Sequence, residues 1–366
     1  MKRWLKGNNE VNEMKKKNYQ IELLRFIAAI VIVCHHSMNI RMENRIFYGG
    51  WIYVEFFYLL TGYFSAMHIV EKRVRDEIET VKYVLNKILY LIPYAYVGIL
   101  IEYVYFRITN VLTLEQRIKC DIDILLNCMF LNHSGLGIYA FNGPLWYVQG
   151  ILLVLPFVLI ILMKKQRLYK IYLCWIIPIS MYSILIMWHG TLQWWTGTFE
   201  TVVHCVFRSC AAMMLGSFTY FLVEYVNEKI KLNSMIVMLL RSLAYFMFSC
   251  TVLLAYFTNA RAMAVECVVV FVLIIFLIML TGKYQCMDIP KLRRKYELFI
   301  GYLGRLSLPI FCLHVPIMKW ISHIWSDESF TYKMVLSIVV TILCAILGEE
   351  TKRFILKKRL TIRNSQ

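Results

Sequence analysis

Between Arg25 and Ser37 the chain reads RFIAAIVIVCHHS, an apolar run that holds a guanidinium and two adjacent imidazoles. Imidazole changes charge near neutral pH without help, so a sheltered neutral histidine can take a proton from a hydroxyl group. On a helix, Arg25 and His36 are eleven residues apart, which is three turns plus about 20°, so they share one face. Their separation along the axis is roughly 16 Å. His35 is rotated from His36 by about 100° and need not point the same way. Glu22 precedes Arg25 by three residues and can neutralise it on the same face. A cation at a mouth with an imidazole further in suits a long anionic ligand. A purely structural alternative stays open, in which Arg25 snorkels to headgroups and His36 bonds a neighbouring helix.

Other polar groups recur at matching depths. GGWIYVEFFYLLTGYF places Glu55, Tyr58 and Gly62 on one face. Later apolar segments hold Lys87, Glu102, His204, Arg208, Glu224, Arg241, Glu266, Arg305, His314 and Lys319. Ionisable groups are costly in hydrocarbon, so this many of them indicates a polar interior between helices. Glu55 is the expected neighbour that tunes the His36 imidazole. Neither a G-x-S-x-G elbow nor a Walker loop occurs. Ser37 follows His36 directly and does not face it, so direct transfer with His36 as base fits better than a covalent serine intermediate.

These residues must be carried by membrane helices. The 366-residue chain is 60% hydrophobic and 17% charged, with a mean hydropathy of +0.59. Soluble domains are roughly 45–50% apolar and about 25% charged, and could not hide so much apolar surface. The expected fold is an all-α polytopic bundle with ten spans, at 19–38, 49–70, 83–106, 144–163, 171–188, 201–226, 235–257, 264–281, 298–324 and 333–355. The net charge of +17 follows the topology. Of the 40 Lys and Arg residues, 27 fall on one side, 6 on the other and 7 within spans, with Lys352 and Arg353 counted in the tail. By the positive-inside rule both termini are then cytoplasmic. Basic charge never gathers into a separate folded region, which argues against nucleic acid as a partner. The expected organisation is a basic cytoplasmic segment over 1–18, the membrane domain over 19–355 and a basic cytoplasmic tail over 356–366. The long polar lead before a full-length span is not the pattern of a cleavable signal. Eight of the eleven cysteines fall inside spans, and no CxxC pair or zinc spacing is present, so neither a disulfide framework nor a metal site is expected.

One connection, from Arg107 to Gly143, is long. Within it Ile118, Ile122, Leu125, Leu126, Met129 and Phe130 fall on one helical face, with Lys119, Asp121 and Asn127 away from it. The pattern predicts an amphipathic helix at the outer surface, either covering an opening in the bundle or resting on headgroups.

Four segments together resemble the membrane acyltransferase-3 family. RFIAAIVIVCHHS resembles its first-helix signature of Arg followed eleven residues later by His, which selects His36 and leaves His35 as an extra. GGWIYVEFFYLLTGYF resembles the second-helix pattern through Glu55, Phe56, Phe57, Thr61 and Gly62. NGPLWYVQGILLVLP carries the family's "LW" feature in Trp146, and LGRLSLPIFCLHVPI matches its late segment at Gly304, Arg305, Ser307, His314 and Pro316. One departure stands out: where the family usually carries two arginines before the third-span proline, here Pro93, this chain has Asn86 and Tyr90, with Lys87 as the only cation.

The resemblance implies transfer of an acyl group, most often acetyl, from cytoplasmic acyl-CoA to a sugar hydroxyl of a cell-surface polysaccharide or its lipid-linked precursor. Arg25, His36 and Glu55 are then the catalytic candidates. Arg25, Lys87 and Arg305 are the candidates for holding the acetyl-CoA donor, with Arg305 open to either phosphate or oxyanion binding. Trp146 and His314 belong to the polar interior. The implied setting is the bacterial plasma membrane, among surface-polysaccharide assembly proteins. One rival reading is a glycan or small-molecule exporter, against which stand the lack of repeat symmetry and the few central Gly/Pro breaks; a second is a non-catalytic membrane partner or sensor, for which the paired Arg25 and His36 would be unnecessary.

Overall fold

The computed structural model describes residues 18–40, 46–193, 198–284 and 290–364. The basic leader over 1–18 lies outside this set except for Asn18. The described residues form eleven α-helices longer than a single turn and no strand. We number them α1 (Tyr19–His35), α2 (Tyr53–Glu71), α3 (Glu77–Thr109), α4 (Leu114–Cys128), α5 (Trp146–Lys164), α6 (Cys174–His189), α7 (Thr198–Lys229), α8 (Ser234–Phe257), α9 (Ala264–Thr281), α10 (Pro290–Ile324) and α11 (Phe330–Asn364). Local sequence sets several of their starts. Asn18 caps α1 by accepting from Gln20 and Ile21 backbone N–H groups, Asp76 caps α3, and Thr113 with Gln116 forms a reciprocal capping box at α4.

Nine helical segments among the described residues are long and apolar enough to cross a membrane, and the chain is a multi-pass membrane protein. They match the expected spans except the second. That one is α2, which forms as a 19-residue helix but is too polar to stand with the other nine because of Glu55, His68 and its tyrosines. Its position explains the composition: α2 packs against α1, α5, α7 and α9, and twelve of its residues are buried. Its polar residues are thus enclosed by protein and not by lipid.

The α2–α7 contact is close enough to demand glycine from both sides. A Cβ on Gly62 would lie 1.9 Å from the Met213 carbonyl oxygen, and one on Gly216 would lie 2.0 Å from that of Leu59. Small residues let membrane helices approach in this way, since lipid supplies no hydrophobic drive between them. Pairs such as Glu55–Arg208 and Gly62–Ser217 keep a nearly constant offset, so the two helices run parallel. On the other side of the bundle α10 packs along α1, α3 and α11. There the space above Gly304 is filled by the Glu22 side chain, whose carboxylate a Cβ would strike at 1.9 Å.

Helix α4 carries the expected amphipathic pattern, with one correction. Ile118, Ile122, Leu125 and Met129 are exposed, but Phe130 lies past the helix end at φ 57° and is buried. The reason lies on the polar face, which turns inward. Asp123 Oδ2 accepts from Tyr139 N (2.9 Å), Asn127 Oδ1 accepts from Phe141 N (2.9 Å), and Asn127 Nδ2 donates to Tyr139 O (2.8 Å). The helix thus holds the returning loop with its polar side and leaves its apolar side for lipid.

Candidate active site

Two openings lie along α1. The larger, of about 90 Å³, is lined by His35, His36, Trp51, Val54, His133, Trp146, Gln193, His204, Cys205 and Arg208. The smaller, of about 50 Å³, is lined by Arg25, Val54, Phe57, Tyr147, Ser307, Leu308 and Phe311. Both exceed the ~10–15 Å³ that admits a single water. Val54 borders both, so the Arg25 and His36 positions are neighbouring chambers on one helix.

The hydrogen-bond network fixes how His36 is presented. His314 Nδ1 lies 3.1 Å from Ile310 O and 2.8 Å from Phe311 O. Carbonyl oxygens only accept, so in the neutral ring Nδ1 carries the hydrogen and Nε2 is a bare acceptor. His314 Nε2 sits 3.0 Å from His36 Nδ1, which also lies 2.9 Å from Ile32 O. Both partners accept, so His36 Nδ1–H donates between them. The opposite nitrogen, Nε2, is left without hydrogen on the ring that borders the larger chamber. This tautomer is set by the partners, as in other histidine relays. It also explains a departure from the expected helix: α1 ends at His35, and His36 begins a tight turn to Asn39. The His36 ring caps a carbonyl of the last turn instead of extending it.

His35 has a different task. Its Nδ1 donates to Phe47 O at 3.0 Å, and Gly50 leaves room for its Cβ, which a Cβ on Gly50 would approach to 2.6 Å. It meets the His36 ring edge-on at 5.2 Å and pins the turn before α2.

Glu55 does not touch His36. It is fully buried, with one oxygen paired to Arg208 Nε and the other accepting from Tyr182 OH at 2.7 Å. The carboxylate instead neutralises and aims Arg208, a residue the sequence showed only as one polar group among many. The Arg208 guanidinium lies over Trp51 at 5.3 Å and over Trp146 at 5.0 Å. Trp146 is therefore a wall of the chamber and a face of the arginine site. Its place depends on Asn142, in the left-handed region at φ 62°. Asn142 N donates to Glu102 (2.9 Å) and its side chain to Cys312 O (2.7 Å), while Lys319 pairs with Glu102. Deeper in the wall, His204 Nε2 donates to Leu192 O (2.6 Å), so its unpartnered Nδ1 is a second acceptor in the neutral ring.

Arg25 pairs with Glu22 at 3.3 Å, as the spacing predicts. Lys87 joins neither chamber; its ammonium lies 5.0 Å from the Tyr83 ring, which stacks on His68. At Tyr90 the ring is covered by the Lys352 ammonium at 2.9 Å, and the hydroxyl donates to Glu349 at 2.9 Å while feeling both Arg25 and Arg305. Cations thus converge on the Tyr90 position from other helices. Arg305 lies over Tyr302 at 5.6 Å with its Nε unpartnered, and it does not line the His36 chamber. Among the described residues no three His, Cys, Asp or Glu side chains are grouped so as to hold a metal ion.

This chamber pairs an oriented imidazole with a buried, aimed guanidinium; His36, and the Glu55 that aims Arg208, stand on segments that resemble one enzyme family. No curated protein and no solved structure gives a match. The sequence profile described as an acyltransferase domain, that of the acyltransferase-3 family, matches residues 18–349. That interval contains both histidines, the Glu55–Arg208 pair and every span but the end of the last, so the chain belongs to the acyltransferase-3 family.

Proposed function

We propose that this protein is an integral membrane O-acyltransferase that moves an acyl group, acetyl by preference, from cytoplasmic acyl-CoA to a sugar hydroxyl of a cell-surface polysaccharide or its precursor. The observation that carries the reading is the His36–His314 contact of 3.0 Å, which leaves His36 Nε2 as a proton acceptor at a chamber. The charge asymmetry supports a cytoplasmic side for both termini and for the Arg25 chamber. Arg25 and Arg305, with Lys352 beside Tyr90, supply the cations that CoA phosphates require. Lys87 stands apart on Tyr83. A second acceptor nitrogen, His204 Nδ1, and the two indoles of the same chamber suit a ring bearing several hydroxyls.

In the reaction, His36 Nε2 takes the proton of the acceptor hydroxyl as its oxygen bonds to the thioester carbonyl carbon. The C–S bond then breaks, and the thiolate leaves with the proton that His36 returns. Ester and free thiol are the products, and no redox step occurs. His314 positions His36, and Glu55 positions Arg208.

The test compares surface glycan from wild type, a deletion strain and His36→Ala by NMR, with base-labile acyl esters as the readout. Loss of esters with the glycan still exported is the expected result. Unchanged esters in all three strains would overturn the reading, and loss of the glycan itself would make the protein an exporter.

A further inference from the structure

Arg208 remains after the base, its orienting partner and the donor cations have been assigned. It is 4% exposed, and its Nη2 is buried without a hydrogen-bond partner. A buried guanidinium nitrogen without a partner is costly, so it calls for a ligand. The rest of the group is held on three sides: Glu55 takes Nε, and the Trp51 and Trp146 indoles face its Cζ at 5.3 and 5.0 Å. Tyr182 fixes the Glu55 carboxylate in turn at 2.7 Å. One edge of a rigid, planar donor is therefore left, on the chamber that His36 also lines.

The two groups ask for opposite partners. His36 Nε2 accepts and needs an O–H; Arg208 Nη2 donates and needs an oxygen lone pair. An acyl transfer has one of each, the acceptor hydroxyl and the thioester carbonyl oxygen. The charge count separates Arg208 from the donor phosphates. Glu55 already compensates the guanidinium, so the site has no spare positive charge for a phosphate, yet it still has a directed donor for an oxygen that becomes negative only during reaction. That is the differential binding on which rate acceleration depends.

We infer that Arg208 is a catalytic residue whose Nη2 donates to the acyl carbonyl oxygen and stabilises the oxyanion formed when the hydroxyl deprotonated by His36 attacks. This rests on the acyl-transfer reading above. It also divides the two arginine roles left open by the sequence: Arg305, off this chamber, serves the donor, and Arg208 serves the oxyanion. In balance, the carbonyl π pair moves onto oxygen as the C–O bond forms, and returns as the C–S bond breaks.

The experiment uses the full chain in lipid nanodiscs with acetyl-CoA, taking water as acceptor and following release of free thiol. In R208K, kcat is expected to fall about 100-fold, as for loss of one oxyanion donor, with KM for acetyl-CoA within about threefold. A fall carried by KM alone, or an unchanged kcat, overturns the assignment. A second readout does not depend on turnover or on identical folding. Acetyl-CoA labelled with ¹³C at the carbonyl is bound to H36A and to H36A/R208K, and the carbonyl resonance is compared with that of the free donor. A downfield displacement in H36A that is lost in the double variant supports the contact, and equal displacement in both overturns it. Wild-type protein that neither consumes nor binds acetyl-CoA would instead overturn the acyl-transfer reading itself.

Discussion

His314 Nε2 lies 3.0 Å from His36 Nδ1, although 278 residues separate them in the chain. His314 reaches this position from α10, which packs along the whole of α1, and its own Nδ1 is committed to two backbone carbonyls. The pair therefore has a direction. His314 can only accept from His36, and the basic nitrogen of His36 is turned to the chamber.

That direction makes the two histidines unequal in a mutant series. Removing the base itself, His36→Ala, should lower ester formation by about 10²–10⁴-fold. His314→Ala leaves the base present but unoriented and should cost about 10–100-fold, as loss of a supporting partner does at other histidine sites. The double variant should be no worse than His36→Ala, because the two act as a unit. Ester content of the surface glycan, normalised to protein in the membrane, checks this; additive losses would contradict it.

His35→Ala tests the assignment of the neighbouring ring to structure. It deletes the bond to Phe47 O and leaves a gap beside Gly50, so it should cost about 1–3 kcal/mol of stability. Activity per folded molecule should stay near wild type. A thermal melt alongside the ester assay separates the two effects; full stability with no activity would exchange the roles of His35 and His36.

The parts of the site visible in the sequence are those set by local spacing. Arg25 with Glu22, the two histidines at different phases and the amphipathic pattern of α4 all follow from 3.6 residues per turn. Contacts between helices are not local, and they decide the rest. Glu55 has several cations available within the membrane, and only the parallel α2–α7 packing through Gly62 and Gly216 selects Arg208. Tyr90 looks like a missing cation until α11 brings Lys352 over its ring. Asn127 is placed off the apolar face of α4 by spacing alone, but only the fold shows that it and Asp123 bind the loop that carries His133 and Asn142. The sequence reads 49–70 as a span like the other nine; which helices enclose its polar residues is decided by packing.

Helix contact at Gly62 should be intolerant of any side chain. A Cβ there meets Met213 backbone at 1.9 Å, and backbone cannot turn aside as a side chain can. Gly62→Ala should cost at or above the upper end of the ~1–3 kcal/mol typical of overpacking. It should also separate Glu55 from Arg208 and so lower activity in the protein that survives. Gly143→Ala, which meets nothing within 4 Å, is the control. Melting temperatures in nanodiscs check the contrast.

The Glu55–Arg208 pair predicts an asymmetric rescue. Glu55→Gln leaves a buried guanidinium uncompensated and should destabilise the protein by about 3–5 kcal/mol. Adding Arg208→Gln removes that charge and should recover much of the stability, but not the activity. A double variant as unstable as Glu55→Gln alone would mean that the pair does not balance charge in this bundle.

Stability should also depend on pH through His133, in the loop outside the spans. Burial pushes its pKa below the ordinary imidazole value, so the folded protein holds the neutral ring with Nε2–H donated to Gly143 O at 3.2 Å. Below about pH 6.5 the unfolded chain binds a proton that the folded one does not, and stability falls with pH until the folded pKa is passed. His133→Gln keeps a donor and cannot titrate. Melts between pH 7.5 and 5 should be flatter for the variant than for wild type, and parallel curves would show that His133 does not contribute.

Donor binding offers the last contrast, between the cation the sequence suggests and the one the fold supplies. Lys87 sits over Tyr83, away from both chambers, whereas Lys352 covers Tyr90, where Arg25 and Arg305 also act. Each charge-assisted contact to a phosphate is worth about 1.5–3 kcal/mol, or roughly 10–100-fold in affinity. Arg25→Ala and Lys352→Ala should therefore raise KM for acetyl-CoA by about tenfold or more with little change in kcat. Lys87→Ala should leave it within about threefold. Direct titration of acetyl-CoA into nanodisc-embedded protein measures the same order without turnover. If Lys87→Ala proves the most damaging, the donor lies along the Tyr83 side of α3 and the convergence at Tyr90 is structural.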